Sequence, residues 1–189
     1  MKDLVIVFAR APRLGTVKRR LAAEIGQRAA LRFHAGNLAR LIGELARDRR
    51  FATILALTPD RARLRMRLRT RVAVVAQGHG DLGTRMARAL ARARRAVVVG
   101  CDIPELGAAD VAAAFRALGR ADAVFGPAED GGYWLVGLGP RRPARPFSGV
   151  RWSIRHTLAD TLVNFRHHRV ALLRMLADVD TAADLRRHR

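Results

Sequence analysis

The chain has 189 residues, half of them hydrophobic and 28% charged, with a formal net charge of +20. That balance excludes a disordered chain and suits one domain, 1–189, with a sizeable core. A lone cysteine, Cys101, rules out an intrachain disulfide, and no apolar run approaches the ~18 residues of a membrane helix.

The N-terminal apolar run, Leu4 to Ala9, follows Asp3 and reads as a strand, not a secretory signal, which favours a cytoplasmic protein. Behind it comes Arg10-Ala-Pro-Arg-Leu-Gly-Thr-Val-Lys18-Arg-Arg20. Only two of the 36 basic residues are lysines, Lys2 and Lys18. An ammonium is a compact charge suited to phosphate oxygens. Pro12 and Gly15 turn the chain here, and Thr16 is placed to cap the next helix and leave free N–H groups for an anion. The spacing is neither a dinucleotide fingerprint nor a P-loop. A surface turn with ordinary basic residues accounts for it equally well.

Leu31, Ala35, Leu38, Ile42 and Leu45 form one helical stripe, and Ala52–Leu57 reads as the second strand. Arginines then stand at 61, 63, 65, 67, 69 and 71. Charge is spread along the whole chain, and only 5% of residues are aromatic, so these arginines read as a solvated face and nucleic acid is not the expected partner. Val72–Ala76 is the third strand. The Gly-rich turn Gly78-His-Gly-Asp81-Leu-Gly83-Thr-Arg85 leads into a helix that Asp81 is placed to cap; contact with a base or sugar is the other reading.

Ala96–Gly100 runs into Cys101-Asp102-Ile-Pro104-Glu105. An aspartate directly behind a buried strand can hold Mg²⁺ on substrate phosphates or cap a turn. Cys101 reads as a packed residue. A helix marked by Val111, Phe115 and Leu118 precedes Ala123–Gly126, and the polar loop Glu129-Asp130-Gly131-Gly132 then leads into Tyr133–Leu138. The two carboxylates suit acceptor hydroxyls, a metal or base catalysis, although Asp-Gly alone makes a hairpin turn. Trp152-Ser153 precedes a helix carrying Leu158, Leu162 and Phe165. Ser153 is a natural N-cap, and Trp152 walls an acceptor pocket or packs. After Val170–Leu173 comes Asp178-Val-Asp180-Thr181-Ala-Ala-Asp184, in which Thr181 and Asp184 have capping spacing. Capping leaves Asp178 and Asp180 unexplained. Of 16 acidic residues, Asp102, Glu129, Asp130, Asp178 and Asp180 fall in post-strand segments. In so basic a chain their convergence points to a bound cation.

Short apolar strands alternating with amphipathic helices predict a three-layer α/β/α sandwich with a mostly parallel sheet, whose ligands lie beyond the carboxyl ends of the strands. In order and spacing, the segments from Phe8-Ala9-Arg-Ala11-Pro12 to Asp178-Val-Asp180-Thr resemble the GT-A superfamily of nucleotide-sugar glycosyltransferases and small nucleotidyltransferases. They are most similar to a bacterial glycosyltransferase-like family related to 2-phospho-L-lactate guanylyltransferase and sometimes labelled arsenosugar-biosynthesis glycosyltransferases. The resemblance implies Mg²⁺ or Mn²⁺ on Asp102 and Asp180. It places a nucleotide or nucleotide sugar at Ala9, Ala11, Pro12, Gly15, Lys18 and Arg20, with Asp81, Gly83 and Arg85. It assigns catalysis to Lys18, Asp102, Glu129 and Asp130, and the acceptor to Gly131, Gly132, Trp152 and Ser153. Arg19 departs from the family's usual threonine. Asp102-Ile-Pro replaces the Asp-x-Asp of many glycosyltransferases. The basic loop and lone aspartate favour nucleotidyl transfer onto a small phosphorylated acceptor. Glycosyl transfer to a small acceptor is the alternative, and a non-catalytic nucleic-acid-binding domain is a third.

Overall fold

All seven apolar runs become strands of one sheet. The computed structural model describes residues 2–188 apart from 63, 65, 67 and 69, so much of the 61–71 arginine run lies outside the described residues. In chain order the elements are β1 (Asp3–Arg10), α1 (Arg19–Ile25), α2 (Gln27–Arg47), β2 (Phe51–Thr58), β3 (Ala73–Ala76), α3 (Leu82–Leu90), β4 (Ala96–Gly100), α4 (Ala108–Ala117), β5 (Ala123–Pro127), β6 (Tyr133–Leu138), α5 (Thr157–Val163), β7 (Val170–Leu172) and α6 (Ala182–Arg187). The sheet order is β3-β2-β1-β4-β6-β5-β7. Only β6 runs antiparallel to its neighbours. The cause is local: β5 and β6 are joined by the short loop through Glu129–Gly132, and a connection that short closes only a hairpin.

The inner strands are apolar through their centres because both faces are covered, whereas β3 and β7 at the edges stay largely or partly exposed. Successive side chains point to opposite faces. Val5, Val7, Val97 and Val99 therefore pack with Leu38, Leu41 and Leu45 of α2 and Val111 and Phe115 of α4. Ile6 and Val98 pack with Met86 and Leu90 of α3 and with Leu158 and Leu162 of α5. Polar chemistry is left to the strand ends. β1, β2 and β4 run parallel, so Arg10, Thr58 and Gly100 finish on the same edge of the sheet.

Two expected caps differ. Gly15, with φ of 73°, makes a tight turn in which Thr16 Oγ1 donates to the Arg13 carbonyl at 3.0 Å. The helix therefore starts at Arg19, with Lys18 as its N-cap residue. Ser153 has a φ of 61°, and α5 starts only at Thr157, so Ser153 caps nothing. Asp81 does cap α3, accepting from Thr84 N at 2.8 Å, and Thr181 with Asp184 forms the capping box of α6.

Candidate active site

Two cavities open at the carboxyl edge of the sheet, with Phe8, Gly100 and Asp102 lining both. The first, of about 430 Å³, lies between the ends of β1 and β4 and is lined by Arg10, Lys18, Arg19, Arg20 and His34 together with Asp102 and Asp180. Ala9 also lines it, whereas Ala11, Pro12 and Gly15 shape the loop without facing it. Lys18 holds a left-handed backbone, with φ of 46°. That conformation is costly for a non-glycine residue, and such strain persists only where surrounding contacts over-determine it. Here the buried ammonium supplies them. Nζ lies 2.9 Å from Asp180 Oδ1 and 3.3 Å from Asp102 Oδ2.

These three residues are brought together by two long-range connections. The segment after β7 runs beside β5, with Leu176 N donating to the Pro127 carbonyl at 3.1 Å. Val179 N then donates to the carbonyl of Asp102 itself at 3.2 Å, which sets Asp180 beside Asp102. Arg20 approaches the other oxygen of Asp180 at 3.9 Å and is largely exposed. Burial opposes the charge on Lys18, but Asp102 and then Asp180 outweigh it, so the ammonium titrates above its usual value. Asp102 is desolvated too, yet His34 and Lys18 together hold its carboxyl below the usual range.

Helix α2 supplies what the sequence reading passed over. His34 is 3% exposed. Its Nε2 lies 2.9 Å from the Arg10 carbonyl, which can only accept, so that nitrogen carries a proton. Nδ1 faces Asp102 Oδ1 at 3.5 Å. One turn on, Asn37 donates to the Cys101 carbonyl at 2.6 Å. Together they fasten the Asp102 loop from below. The available signal was a histidine four residues from Ala30 and Leu38, on the apolar stripe where a polar side chain needs a reason. Cys101 is buried, and burial first, then Asp102, push its thiol well above the ordinary range, so it packs and does not react.

The second cavity, of about 280 Å³, lies on the β4–β6 side. Its walls include Phe8, Met86, Tyr133, Trp134 and Trp152, and Asp102, Asp130 and Asp178 reach it. The β5–β6 loop is a tight turn in which Asp130 Oδ1 accepts from Gly132 N at 2.8 Å, and the same carboxylate lines the cavity. Gly131, with φ of 82°, sits against the Arg155 backbone where no Cβ fits, and Gly132 and Ser153 line the cavity. Glu129 lies outside both cavities and approaches Arg187 at 3.8 Å. The Asp81–Arg85 turn serves mainly to shape the wall. A Cβ on Gly83 would stand 2.7 Å from the Trp152 ring, so glycine lets that ring seat. Arg85 donates to Gln77 Oε1 at 2.9 Å and lines neither cavity. Burial, then Asp180, raise the carboxyl of Asp178 above the usual range.

Residues 41–154 match the family model described as "Uncharacterized protein conserved in bacteria (DUF2064)". No curated protein matches the chain in sequence. Among solved structures, a candidate nucleotide-diphospho-sugar transferase from Desulfovibrio desulfuricans G20 is 30% identical over 98% of this chain and 85% of that one, with a TM-score of 0.89. Rv0371c from Mycobacterium tuberculosis H37Rv, crystallised with manganese, is 21% identical over 99% of this chain and 97% of that one, with a TM-score of 0.53. The 2-C-methyl-D-erythritol 4-phosphate cytidylyltransferase of Thermus thermophilus is 15% identical over 98% and 96%, with a TM-score of 0.56. The last two share the fold alone.

Proposed function

We propose that this chain, which belongs to the bacterial family DUF2064, is a metal-dependent transferase that draws a group from a nucleotide-diphospho-sugar at its cationic cavity. One observation carries this reading. Asp102 and Asp180, 78 positions apart, converge on a single cation position, now taken by the Lys18 ammonium. The donor set fits a divalent metal, since hard carboxylate oxygens are what Mg²⁺ and Mn²⁺ prefer. Such a metal, held by Asp102 and Asp180, would act as a Lewis acid that neutralises the diphosphate. The manganese complex of Rv0371c is in keeping with that fit.

The chain's own residues do the rest. Lys18, released from its carboxylates, and Arg20 meet the phosphate oxygens and stabilise the charge that grows on the departing nucleoside diphosphate. The sugar extends past Phe8 and Gly100 into the second cavity, where the acceptor hydroxyl attacks its anomeric carbon. The hydroxyl proton passes to Asp130, which lines that cavity as Glu129 does not. His34 and Asn37 keep the Asp102 loop in place throughout.

The likeness to the Desulfovibrio protein, which is closer than the others described, supports sugar transfer over the nucleotidyl transfer favoured by the sequence alone. The nucleotidyl reading keeps one observation of its own, the lone aspartate in Asp102-Ile-Pro104. The test is a thermal-shift panel of nucleotide sugars and nucleoside triphosphates with and without Mn²⁺. A ligand at 100 times its dissociation constant adds about 2.7 kcal/mol of stability. A metal-dependent shift by a nucleotide sugar, lost in Asp102→Asn, supports the proposal, and release of nucleoside diphosphate during turnover separates it from nucleotidyl transfer, which releases pyrophosphate. No shift by any nucleotide sugar removes it.

A further inference from the structure

Among the described residues, the lining of the second cavity contains three carboxylates, Asp102, Asp130 and Asp178, and no lysine, arginine or histidine. This runs against the composition of a chain with 36 basic and 16 acidic residues. Asp102 has Lys18 beside it. Asp130 is satisfied by a backbone N–H, and neither it nor Asp178 has an ion-pair partner among the described residues. The remaining lining is mostly apolar and rich in rings, Tyr133 and Trp152 among them, with Ser153 and Thr157 as its other polar side chains.

Resting on the transferase reading above, we infer that this cavity takes an acceptor that is uncharged or cationic, with a ring-sized apolar face against Tyr133 and Trp152 and a hydroxyl or amino group within reach of Asp130 and Asp178. Phosphorylated and carboxylated acceptors are excluded, in place of the phosphorylated acceptor that the sequence alone favours. The reason is electrostatic. An anion entering would shed its water in a partly apolar space and meet Asp130 and Asp178, while Lys18 and a metal on Asp102 are engaged by the donor phosphates. A cation gains from both the carboxylates and the ring faces. A neutral hydroxyl is accepted by a carboxylate without penalty. Donor phosphates are drawn to one cavity and an acceptor phosphate is refused by the other, so the site cannot bind its acceptor backwards.

The chain's two tryptophans, Trp134 and Trp152, both line this cavity, so intrinsic fluorescence reports its occupancy directly. Tyramine, tyrosol and 4-hydroxyphenylacetate share one ring and nearly one size, and at neutral pH are respectively cationic, neutral and anionic. Titrated into the nucleotide-free protein, they should bind in the order tyramine, tyrosol, 4-hydroxyphenylacetate, with about tenfold or more between the ends, the scale of a single like-charge contact. The overall charge of +20 predicts the reverse order for non-specific binding, so the expected order can only come from the cavity. In the Asp130→Asn/Asp178→Asn double variant the preference should collapse while tyrosol still binds, which also shows that the variant is folded. The inference is overturned if the anion binds as well as the cation, if the order survives in the double variant, or if no probe changes the fluorescence. Because no donor or metal is present, failure here is distinct from failure of a nucleotide sugar to shift the melting temperature.

Discussion

The two cavities share a wall and differ in everything else. The cationic one is built on a strained, buried lysine that two distant carboxylates hold in place. The apolar one is built on packing: Gly83 receives the Trp152 ring, and Asp130 stabilises its own turn. In the first, Lys18 is paired with two carboxylates and Arg10, Arg19 and Arg20 leave an excess of positive charge for an anionic ligand. In the second, Asp130 and Asp178 have no ion-pair partner among the described residues, and they act as the filter. One site thus attracts by electrostatics and the neighbouring one selects by electrostatics, and Asp102, common to both, is where they join.

The sharpest way to break the comparison is Asp102→Asn. Transfer should fall by about 10²–10³-fold or more, the scale of losing one preorganised electrostatic group. The melting temperature should also fall, because the buried Lys18 ammonium loses one of its two carboxylate partners, and Mn²⁺ should no longer enhance donor binding; activity assays, with circular dichroism to confirm the fold, and thermal shift check these. Next in size is Lys18→Met. With the ammonium gone, donor affinity should drop about tenfold, while Mn²⁺ binding to the nucleotide-free protein should strengthen, because metal and lysine no longer compete for Asp102 and Asp180. Calorimetric titration of Mn²⁺ into both proteins decides it, and unchanged metal affinity would show that the lysine and metal positions differ.

Trp152→Ala addresses the other cavity alone. It should raise the acceptor KM several-fold through lost stacking area and leave the donor-induced thermal shift intact. The smallest expected effect concerns the support of that wall. Arg151, next to Trp152, is held by Asp160 of α5 through its backbone N–H and its guanidinium. Arg151 draws the Asp160 carboxyl down from its ordinary 3.8 to about 2. A depressed carboxylate contributes stability above its unfolded-state value and loses it as pH falls through its folded-state value. The melting temperature of Asp160→Asn should therefore lie slightly below that of the parent at neutral pH, with the gap closing between pH 3.8 and about 2. Because the pair is exposed, the gap should be small and should shrink with salt.

Much of this could be read along the chain. Each strand run is apolar on both faces and short, so its type and place followed from local pattern, and the alternation with helices implied the layers. Asp81 and the Thr181–Asp184 box act through neighbours three residues away, which a sequence displays directly. Thr16 and Ser153 misled for the opposite reason. Both are good caps by residue type, but Gly15 and a left-handed turn at Ser153 let the helices begin only at Arg19 and Thr157. Glu129 and Asp130 are adjacent and indistinguishable in sequence; the hairpin turn sends one to Arg187 and the other to the cavity.

Read without coordinates, the chain yields its parts and their order: seven apolar strands, the helices that cover them, and functional groups confined to the strand ends, because backbone periodicity is a local property. Which of those groups meet is settled by folding alone. The hydrogen bond from Val179 to Asp102 brings Asp180 to Lys18, α2 lifts His34 under Asp102, and a strongly basic chain is sorted into one cavity rich in basic side chains and one that, among the described residues, has none. Electrostatic character depends on distances through space, and those exist only once the chain has closed on itself.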